Sequence, residues 1–342
     1  MEYSIVMPVY KRADILRRTL NSISNQILQP LEIIIVNNNS IKYETDKLKN
    51  IVKNFNKENL FKIVLLDSPK NSGAIARNIG AQHAKADIVA FLDSDVIIDK
   101  NYYSVLMDYF DKNEDLIAIQ GVDHALIESQ KKNKFLNLSN RFIYNLEQFF
   151  ETSLIFNQEK SFVSPSLAVA HPNVLKDFEV QSEWISTCAG LFKKELFKKY
   201  SFPKEFITYS NNEYLFFSYS IFLNEKGKMI YTSKAKYRDV QTSSGRINMI
   251  PLMYQIQVYD LFIFLKLFKI NPYNLFIFIK SRFGHLLYNL SRSILKKDFN
   301  FKNTFHAIFS IFYPILNLKL IINGDLSFYE KDFSDTKKLK KT

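Results

Sequence analysis

The sequence has few of the residues that build crosslinked, metal-clustered or repetitive proteins. Among its 342 residues there is one cysteine, Cys188, which excludes a disulfide framework and any zinc site made of several thiolates. Glycine and proline number 8 and 9, too few for a collagen-like or low-complexity chain. The five histidines never lie three to five residues apart, so no short-range histidine pair marks a metal site.

Long apolar stretches are also lacking. The longest charge-free run, residues 303–318, would extend about 24 Å as a helix, against about 30 Å of membrane hydrocarbon. The run also contains His306, Pro314 and Asn317. The first ten residues lack the basic start of a secretory signal. We therefore expect no membrane-spanning helix and a cytoplasmic location.

Positive charge is concentrated in the last third of the chain. The formal net charge is +12; residues 1–240 hold 31 Lys and Arg against 28 Asp and Glu, and residues 241–342 hold 15 against 6. Hydrophobic residues make up 47% and charged residues 23%, values typical of a folded protein with a large core. The length allows about two domains.

The first 120 residues alternate between apolar strand-like segments and helical segments. This alternation predicts a mostly parallel sheet flanked by helices, with right-handed crossovers. Ligands of such sheets lie at the carboxyl ends of the strands, so the residues just after each strand are the first candidates for a site. The predicted strands cover residues 4–9, 31–36, 62–66, 88–92 and 116–120.

Polar clusters follow four of these strands and are predicted to share one edge of the sheet. They are Pro8 with Tyr10, the run Asn37-Asn38-Asn39-Ser40, the run Asn71-Ser72-Gly73 leading to Arg77, and Asp93-Ser94-Asp95. Polar residues end many strands because loops are solvated, but four clusters at one edge favour a ligand site.

Asp93 and Asp95 are the most specific of these signals. Two carboxylates this close repel each other in a cleft unless a cation lies between them. A hard divalent ion such as Mn²⁺ or Mg²⁺ accepts such oxygen ligands and leaves positions for phosphate oxygens. The alternative is a solvated acidic pair at the start of the next helix.

The combined pattern resembles family 2 glycosyltransferases of the GT-A fold. The resemblance rests on the segments SIVMPVY (4–10), IIIVNNNS (33–40), NSGAIARNIG (71–80) and VAFLDSD (89–95), together with Gln26. It is specific over residues 1–100, looser over residues 180–230 and only compositional beyond. Members transfer a sugar from a nucleotide sugar to an acceptor hydroxyl, with inversion at the anomeric carbon.

The resemblance implies a role for individual residues. Asp95, with Asp93, is expected to bind the Mn²⁺ or Mg²⁺ ion, and Asp93 to face the ribose or the donor sugar. The residues expected around the nucleotide sugar are Pro8, Tyr10, Asn37, Asn39, Asn71, Arg77 and Asp93.

The sequence departs from the family at Asn37, where an aspartate is usual. The amide Oδ1 can accept the N3–H of uracil, but it matches the two adjacent donors of guanine poorly. This favours a uridine or thymidine donor. The alternative is an ordinary asparagine in a turn.

The expected catalytic base also differs. The family supplies an acidic pair after a Phe-rich turn, and here the matching stretch, residues 211–214, has Glu213 as its only acid. We predict that Glu213 takes the proton of the acceptor hydroxyl. The alternative is a surface glutamate at the start of a helix. Arg238 follows where members often have a histidine, and either neutralises diphosphate or is an ordinary surface arginine.

Residues 183–192 resemble the stretch beneath the donor sugar and the acceptor. Ala189 and Gly190 are small enough for a sugar ring to approach the backbone, and Trp184 offers an aromatic face. A lone tryptophan is otherwise a core residue, and Cys188 is expected to be a small buried hydrophobe. Between residues 124 and 175 the apolar spacing, which includes Phe135, suggests one amphipathic helix.

The last hundred residues combine large aromatics with basic residues in helical patterns. They are predicted to lie on an anionic membrane surface; the alternative is a helical subdomain packed on the catalytic core. Lys296 and Lys297 lie beside one apolar stripe, and residues 337–341 form a basic tail. No base-stacking motif is present, so no nucleic-acid partner is expected. The sequence makes no prediction of oligomeric state.

These observations predict three parts. Residues 1–120 form the nucleotide-sugar-binding half of a GT-A-like α/β catalytic domain, residues 121–240 form the acceptor-binding half, and residues 241–342 form an amphipathic, membrane-associating helical region. The predicted activity is metal-dependent inverting transfer to a glycan acceptor, expected to be lipid-linked, in surface polysaccharide synthesis at the inner membrane face. The alternative is a non-catalytic relative that binds a nucleotide sugar or a partner. A nucleotidyltransferase or a dehydrogenase is disfavoured because no glycine-rich loop follows the first strand.

Overall fold

The computed structural model describes residues 1–39, 41–58, 61–133, 136, 138–152, 154–208, 212–240, 242, 247–295 and 301–333. Several residues used in the sequence predictions lie outside this part of the chain. They are Ser40, Phe135, Asn211, Lys296, Lys297 and the basic tail at 337–341.

One nine-stranded sheet forms the centre of the described fold. Its strand order is β3-β2-β1-β4-β10-β6-β11-β5, with β9 paired to β11, and a separate two-stranded sheet joins β7 and β8. The strands are β1 (Tyr3–Val9), β2 (Glu32–Asn37), β3 (Lys62–Asp67), β4 (Ile88–Phe91), β5 (Val96–Ile98), β6 (Leu116–Asp123), β7 (Ile155–Gln158), β8 (Ala170–Pro172), β9 (Glu179–Gln181), β10 (Leu191–Lys193) and β11 (Lys228–Asp239).

The helices cover both faces of this sheet and continue beyond it. They are α1 (Ala13–Ser24), α2 (Lys42–Glu58), α3 (Gly73–His83), α4 (Tyr102–Lys112), α5 (His124–Asn133), α6 (Leu138–Phe150), α7 (Glu213–Asn224), α8 (Met249–Leu267), α9 (Pro272–Leu295), α10 (Phe301–Leu316), α11 (Leu318–Ile322) and α12 (Ser327–Phe333).

The predicted mixed α/β fold with a mostly parallel sheet is confirmed. β1 pairs in parallel with β2 and β4, β2 pairs in parallel with β3, and β6 pairs in parallel with β11. Successive residues of β1 point to opposite faces: Ile5 and Met7 join one apolar cluster and Val6 joins the other. A strand buried on both faces is continuously apolar, which is why these segments are readable from sequence.

Three strands run antiparallel and were not predicted. β10 lies between β4 and β6, β5 pairs with the far end of β11, and β9 pairs with β11. Each has three residues, too short for a periodic signal. Because β10 joins β4 to β6, the two predicted halves of the catalytic domain share one sheet.

The amphipathic helix predicted between residues 124 and 175 is α6, which carries the apolar positions 138, 142, 146, 149 and 150; the other elements of this stretch were not predicted. Two helices, α5 and α6, occupy this stretch, and β7 and β8 follow them. α6 has an apolar stripe but no fully buried residue. It packs against α9, which is far away in the sequence. Tertiary contacts of this kind leave no local signal.

The C-terminal helices pack on the rest of the fold through α8 and α9. Tyr254, Val258 and Tyr259 belong to the apolar cluster beneath the sheet, and α8 contacts α7, α10 and α11. Within the described residues α8 alone is long and apolar enough to cross a bilayer, but more than half of it is buried inside the protein. We interpret α8 as a core helix, so the alternative of a packed helical subdomain applies to it.

Candidate active site

A cleft of about 400 Å³ opens at the carboxyl ends of β1 and β4. It lies where the sequence predicted a ligand site, because the ends of parallel strands meet at one edge of the sheet. The structure brings seven of the predicted residues to its wall: Pro8, Tyr10, Asn71, Arg77, Asp93, Trp184 and Glu213.

Arg77 lies at the centre of this cleft and joins two carboxylates. Its guanidinium donates to Asp93 Oδ1 at 2.6 Å and to Glu213 Oε1. Arg77 and Glu213 are both buried, at 7% and 5% exposure. A buried cation between two acids lets both acids lie in one cleft, since each negative charge has a positive partner.

Glu213 is the first residue of α7, and its environment changes its acidity. Burial raises the pKa of the Glu213 carboxyl to about 7, Arg77 opposes that rise and Asp93 adds to it. The pKa of a general base is best placed near the pH at which it works.

Gly73 makes room for this carboxylate at the start of α3. A Cβ at Gly73 would lie 3.0 Å from Glu213 Oε1 and 3.1 Å from Arg77 Nη1. Ser72 caps the helix by accepting from the amide of Ile75 and donates to the carbonyl oxygen of Phe206. The cap therefore connects α3 to the segment that leads to Glu213.

Asp95 lies behind the cleft wall rather than on it. It is 3% exposed, and its carboxylate accepts from Arg12 Nη1 at 2.7 Å and from the Thr242 hydroxyl at 3.0 Å. Arg12, at the N-terminus of α1, is itself a wall residue. The negative charge of Asp95 is thus balanced by a guanidinium.

A divalent ion at this site would need several oxygen ligands close together. No group of three or more His, Cys, Asp or Glu side chains suited to a metal occurs within the described residues. Asp93 and Asp239 are on the cleft wall, and the Val240 amide donates to the Asp95 carbonyl oxygen, which places β11 beside Asp95. Mg²⁺ is commonly held by one or two carboxylates plus substrate phosphates. Asp93 and Asp239 offer such carboxylates on the cleft wall, whereas the Asp95 carboxylate is paired with Arg12 behind it.

Asn37 and Asn39 support the cleft from behind. Asn37 Oδ1 accepts from the backbone and side chain of Asn39, and its Nδ2 donates to Asp67 Oδ1 at 2.7 Å. Asn39 accepts from the Lys11 amide. The Oδ1 of Asn37 therefore already has partners, and the wall residue of this turn is Asn38, which hydrogen-bonds Asn71 and the Ser72 amide.

Ala189 and Gly190 are buried just before β10 and do not line the cleft. Ala189 accepts from the Tyr102 hydroxyl, and a Cβ at Gly190 would lie 2.2 Å from the Ser186 carbonyl oxygen. Their small size therefore serves backbone packing. Their neighbour Cys188 reaches the wall, where its thiol approaches Asp93 Oδ2 at 3.4 Å, and burial raises the pKa of that thiol.

Trp184 lies at the other end of the cleft in an aromatic cluster. Its ring centroid is 5.0 Å from His171 and 5.9 Å from Tyr231, and its indole N–H donates to the Ala170 carbonyl. It is only 4% exposed, so most of its surface packs in the core. Burial lowers the pKa of His171 to about 3, which keeps the imidazole neutral.

Sequence reasoning missed several wall residues: Arg12, Asp123, His171, Asn212, Tyr231 and Asp239. Strand alternation could have found Asp239. Tyr237 and Asp239 share one face of β11 and line the cleft, and Arg238 points away to an exposed pair with Glu128. The surface alternative for Arg238 is therefore the observed one.

Comparison with known proteins gives consistent matches. The model of the family described as "Glycosyl transferase family 2" matches residues 4–179. A Haemophilus influenzae protein described as an uncharacterized glycosyltransferase is 31% identical over 144 residues, which cover 40% of this chain and 56% of the relative. The poly(ribitol-phosphate) β-N-acetylglucosaminyltransferase TarP of Staphylococcus aureus is 29% identical over 165 residues, covering 44% and 49%.

A solved structure extends the likeness to most of the fold. The structure of S. aureus TarS residues 1–349 in complex with UDP-GlcNAc superposes with a TM-score of 0.52 at 15% identity, over 91% of this chain and 79% of that one. At this identity the likeness concerns the fold. The chain spans about half the length of these two curated relatives.

Proposed function

Because this chain belongs to glycosyl transferase family 2, we propose that its cleft binds a nucleotide sugar and transfers the sugar to an acceptor hydroxyl. The observation that carries this proposal is the buried Glu213–Arg77–Asp93 arrangement at the centre of the cleft. It supplies a carboxylate with a pKa near 7 at the place where donor and acceptor would meet.

In the proposed reaction Glu213 is the general base. It takes the proton of the acceptor hydroxyl as that oxygen bonds to the anomeric carbon. The bond from this carbon to the diphosphate oxygen breaks, and the electron pair leaves with the nucleoside diphosphate. Attack opposite the leaving group inverts the anomeric carbon. Arg77 orients Glu213 and Asp93 during the reaction.

The nucleotide is proposed to lie at the β1 and β2 end of the cleft, against Pro8, Tyr10, Asn38 and Asn71. Asp95, with Asp93, is the proposed holder of a Mn²⁺ or Mg²⁺ ion, and phosphate oxygens would complete the coordination. When bound, the ion adds positive charge beside the leaving diphosphate. A uridine or thymidine donor is part of the proposal. Asn37 Oδ1 does not contribute to this choice, because it accepts hydrogen bonds from Asn39.

The acceptor is proposed to approach from the Trp184 side. β6 and β11 lie beyond β4 in the sheet, three and four strand spacings of roughly 4.8 Å from β1. Trp184, Tyr231 and Tyr214 offer aromatic and hydroxyl contacts to a sugar there. The name of TarP, a poly(ribitol-phosphate) β-N-acetylglucosaminyltransferase, supports an acceptor from a surface polysaccharide. A lipid-linked form of that acceptor is part of the proposal.

A membrane surface is the proposed second partner, at the cytoplasmic face. α10 buries Ala307 and Ser310 and turns the opposite side to solvent. We call this side the α10 outer face; its exposed residues, spaced as one helical stripe, are Phe305, Ile308, Phe309, Phe312, Ile315 and Leu316. Exposed lysines at 302 and 319 lie at its two ends and would attract anionic lipid.

Vesicle binding tests this surface. We expect the full chain to sediment with vesicles containing phosphatidylserine, and the double variant Phe309→Ser/Phe312→Ser to bind at least tenfold more weakly, because each half-exposed ring inserts apolar area. The matched control is Ile27→Ser/Tyr43→Ser, which removes two large side chains elsewhere that are more exposed than Phe309 and Phe312. Equal binding by both double variants, or binding to neutral vesicles alone, would contradict the proposal.

The activity itself is tested by nucleotide release. We expect the protein to release UDP or dTDP from one member of a nucleotide-sugar panel when membrane extract is present, and EDTA to remove that activity. Nucleotide binding without release under any acceptor condition would favour the non-catalytic alternative. Neither binding nor release would contradict both.

A further inference from the structure

Helix α8 holds the segment that carries Glu213 from below, at two places. At the first, Gln255 Nε2 donates to the Ile207 carbonyl at 3.2 Å and to the Thr208 hydroxyl at 3.1 Å. The Ile207 amide donates to the Tyr259 hydroxyl at 3.0 Å, and the Tyr259 ring stacks on Phe206 at 4.0 Å. The chain just before residue 209 is therefore fixed to α8.

The second place is Asn212, the residue directly before Glu213. Its backbone is left-handed, with φ +62°, and its side chain makes no capping bond to α7. The amide instead donates to Asp260 Oδ1 at 2.9 Å. Asparagine tolerates this backbone conformation better than most residues, but it still needs a contact to favour it.

Asp260 is itself held by α9. It is 2% exposed, and its Oδ2 accepts from Arg282 Nη1, which is 7% exposed. Arg282 also donates to the Ser166 carbonyl at 3.0 Å and to the Ser281 hydroxyl at 3.1 Å. A buried carboxylate with a buried guanidinium on one side has a fixed direction for its other oxygen.

We propose that Asp260 is a positioning residue for Glu213: held by Arg282, it anchors Asn212 and so sets where α7 begins. This inference rests on the proposed function, in which Glu213 is the base. The backbone conformation of Asn212 sets the direction in which α7 starts, and so the position of the Glu213 side chain. A base displaced by about 1 Å loses rate by up to about a hundredfold, even when substrate binding is intact.

The test uses Asn212→Gly in the full-length protein. Glycine keeps the left-handed backbone and removes the amide that reaches Asp260, together with the small surface that Asn212 gives to the cleft wall. We expect kcat to fall about tenfold to a hundredfold, KM for the donor to stay within twofold, and amide hydrogen exchange of residues 213–217 to speed up. The matched control is Glu128→Gln, which breaks an exposed pair with Arg238 and leaves all three readouts unchanged.

A second variant separates positioning from general damage. Asp260→Asn keeps the size of the side chain and removes the charge that Arg282 holds. We expect it to lower kcat in the same direction, and the double variant with Asn212→Gly to be no worse than the more severe single variant, because both act through one contact. If Asp260→Asn fails to fold, Asn212→Gly still decides, since it leaves the buried ion pair between Asp260 and Arg282 in place.

Two outcomes would overturn the inference. One is wild-type kcat and wild-type hydrogen exchange in Asn212→Gly; the other is independent, additive effects in the double variant. If the wild-type protein transfers no sugar at all, the proposed function fails, and the exchange of residues 213–217 alone then decides whether Asp260 positions Glu213.

Discussion

Replacing Glu213 with glutamine is expected to lower the rate of sugar transfer by about 10²–10⁴-fold, the range that a lost general base costs. Glutamine has the same length, and its amide oxygen can still accept from Arg77, so the cleft keeps its shape. Nucleotide binding should therefore persist. The measurements are nucleotide release with acceptor present, and calorimetric titration with the free nucleoside diphosphate.

The pH dependence gives this prediction its control. The base acts only when ionised, and the pKa of Glu213 is raised to about 7, so the wild-type rate should fall about tenfold per unit as pH drops below that value. The residual rate of Glu213→Gln should lack this decline. A variant that keeps more than a tenth of the wild-type rate would show that another group takes the proton.

Replacing Arg77 with methionine is expected to destabilise the fold by about 3–5 kcal/mol, since it leaves two carboxylates in one buried cleft without their cation. The loss should depend on pH. Arg77 lowers the pKa of Glu213, so the variant pKa lies above the wild-type value of about 7. A carboxyl whose folded pKa exceeds its unfolded pKa loses stability as pH rises between the two.

The loss of unfolding free energy in Arg77→Met should therefore be larger at pH 8 than at pH 5, where Glu213 is protonated in both proteins. Urea unfolding at the two pH values measures it. Arg238→Met is the control, because it removes a guanidinium whose partner Glu128 is exposed, and we expect little change. A deficit that is absent, or equal at both pH values, would show that Arg77 does not balance these acids.

The predicted sheet and one side of the cleft could be obtained from sequence because both depend on local patterns. Apolar strands end in polar clusters, and parallel strands bring Tyr10, Asn71, Arg77 and Asp93 to one edge. The turn after β2 shows the limit of this reasoning. Asn37 and Asn38 are adjacent asparagines, so the sequence does not distinguish them. Which of the two side chains faces the cleft depends on where β2 ends.

The support of Glu213 by α8 could not be predicted because it joins residues 48 apart through tertiary packing. A signal existed nonetheless: Asp260 is the only acid in the mostly apolar helix α8, and a buried charge requires partners. Composition likewise indicated amphipathic C-terminal helices without showing which faces pack. The structure assigns α8 to the core and leaves the α10 outer face exposed.

The position of α8 has a practical consequence for anyone shortening this chain. A fragment ending at residue 240 is an obvious choice for a more soluble protein, because it keeps the whole sheet and removes the hydrophobic, basic last third. Such a fragment would lack helix α8, which contacts Phe206, Ile207 and Asn212 through Tyr259 and Asp260. Polar substitutions on the α10 outer face are a better way to raise solubility, because they leave the contacts of α8 with this segment in place.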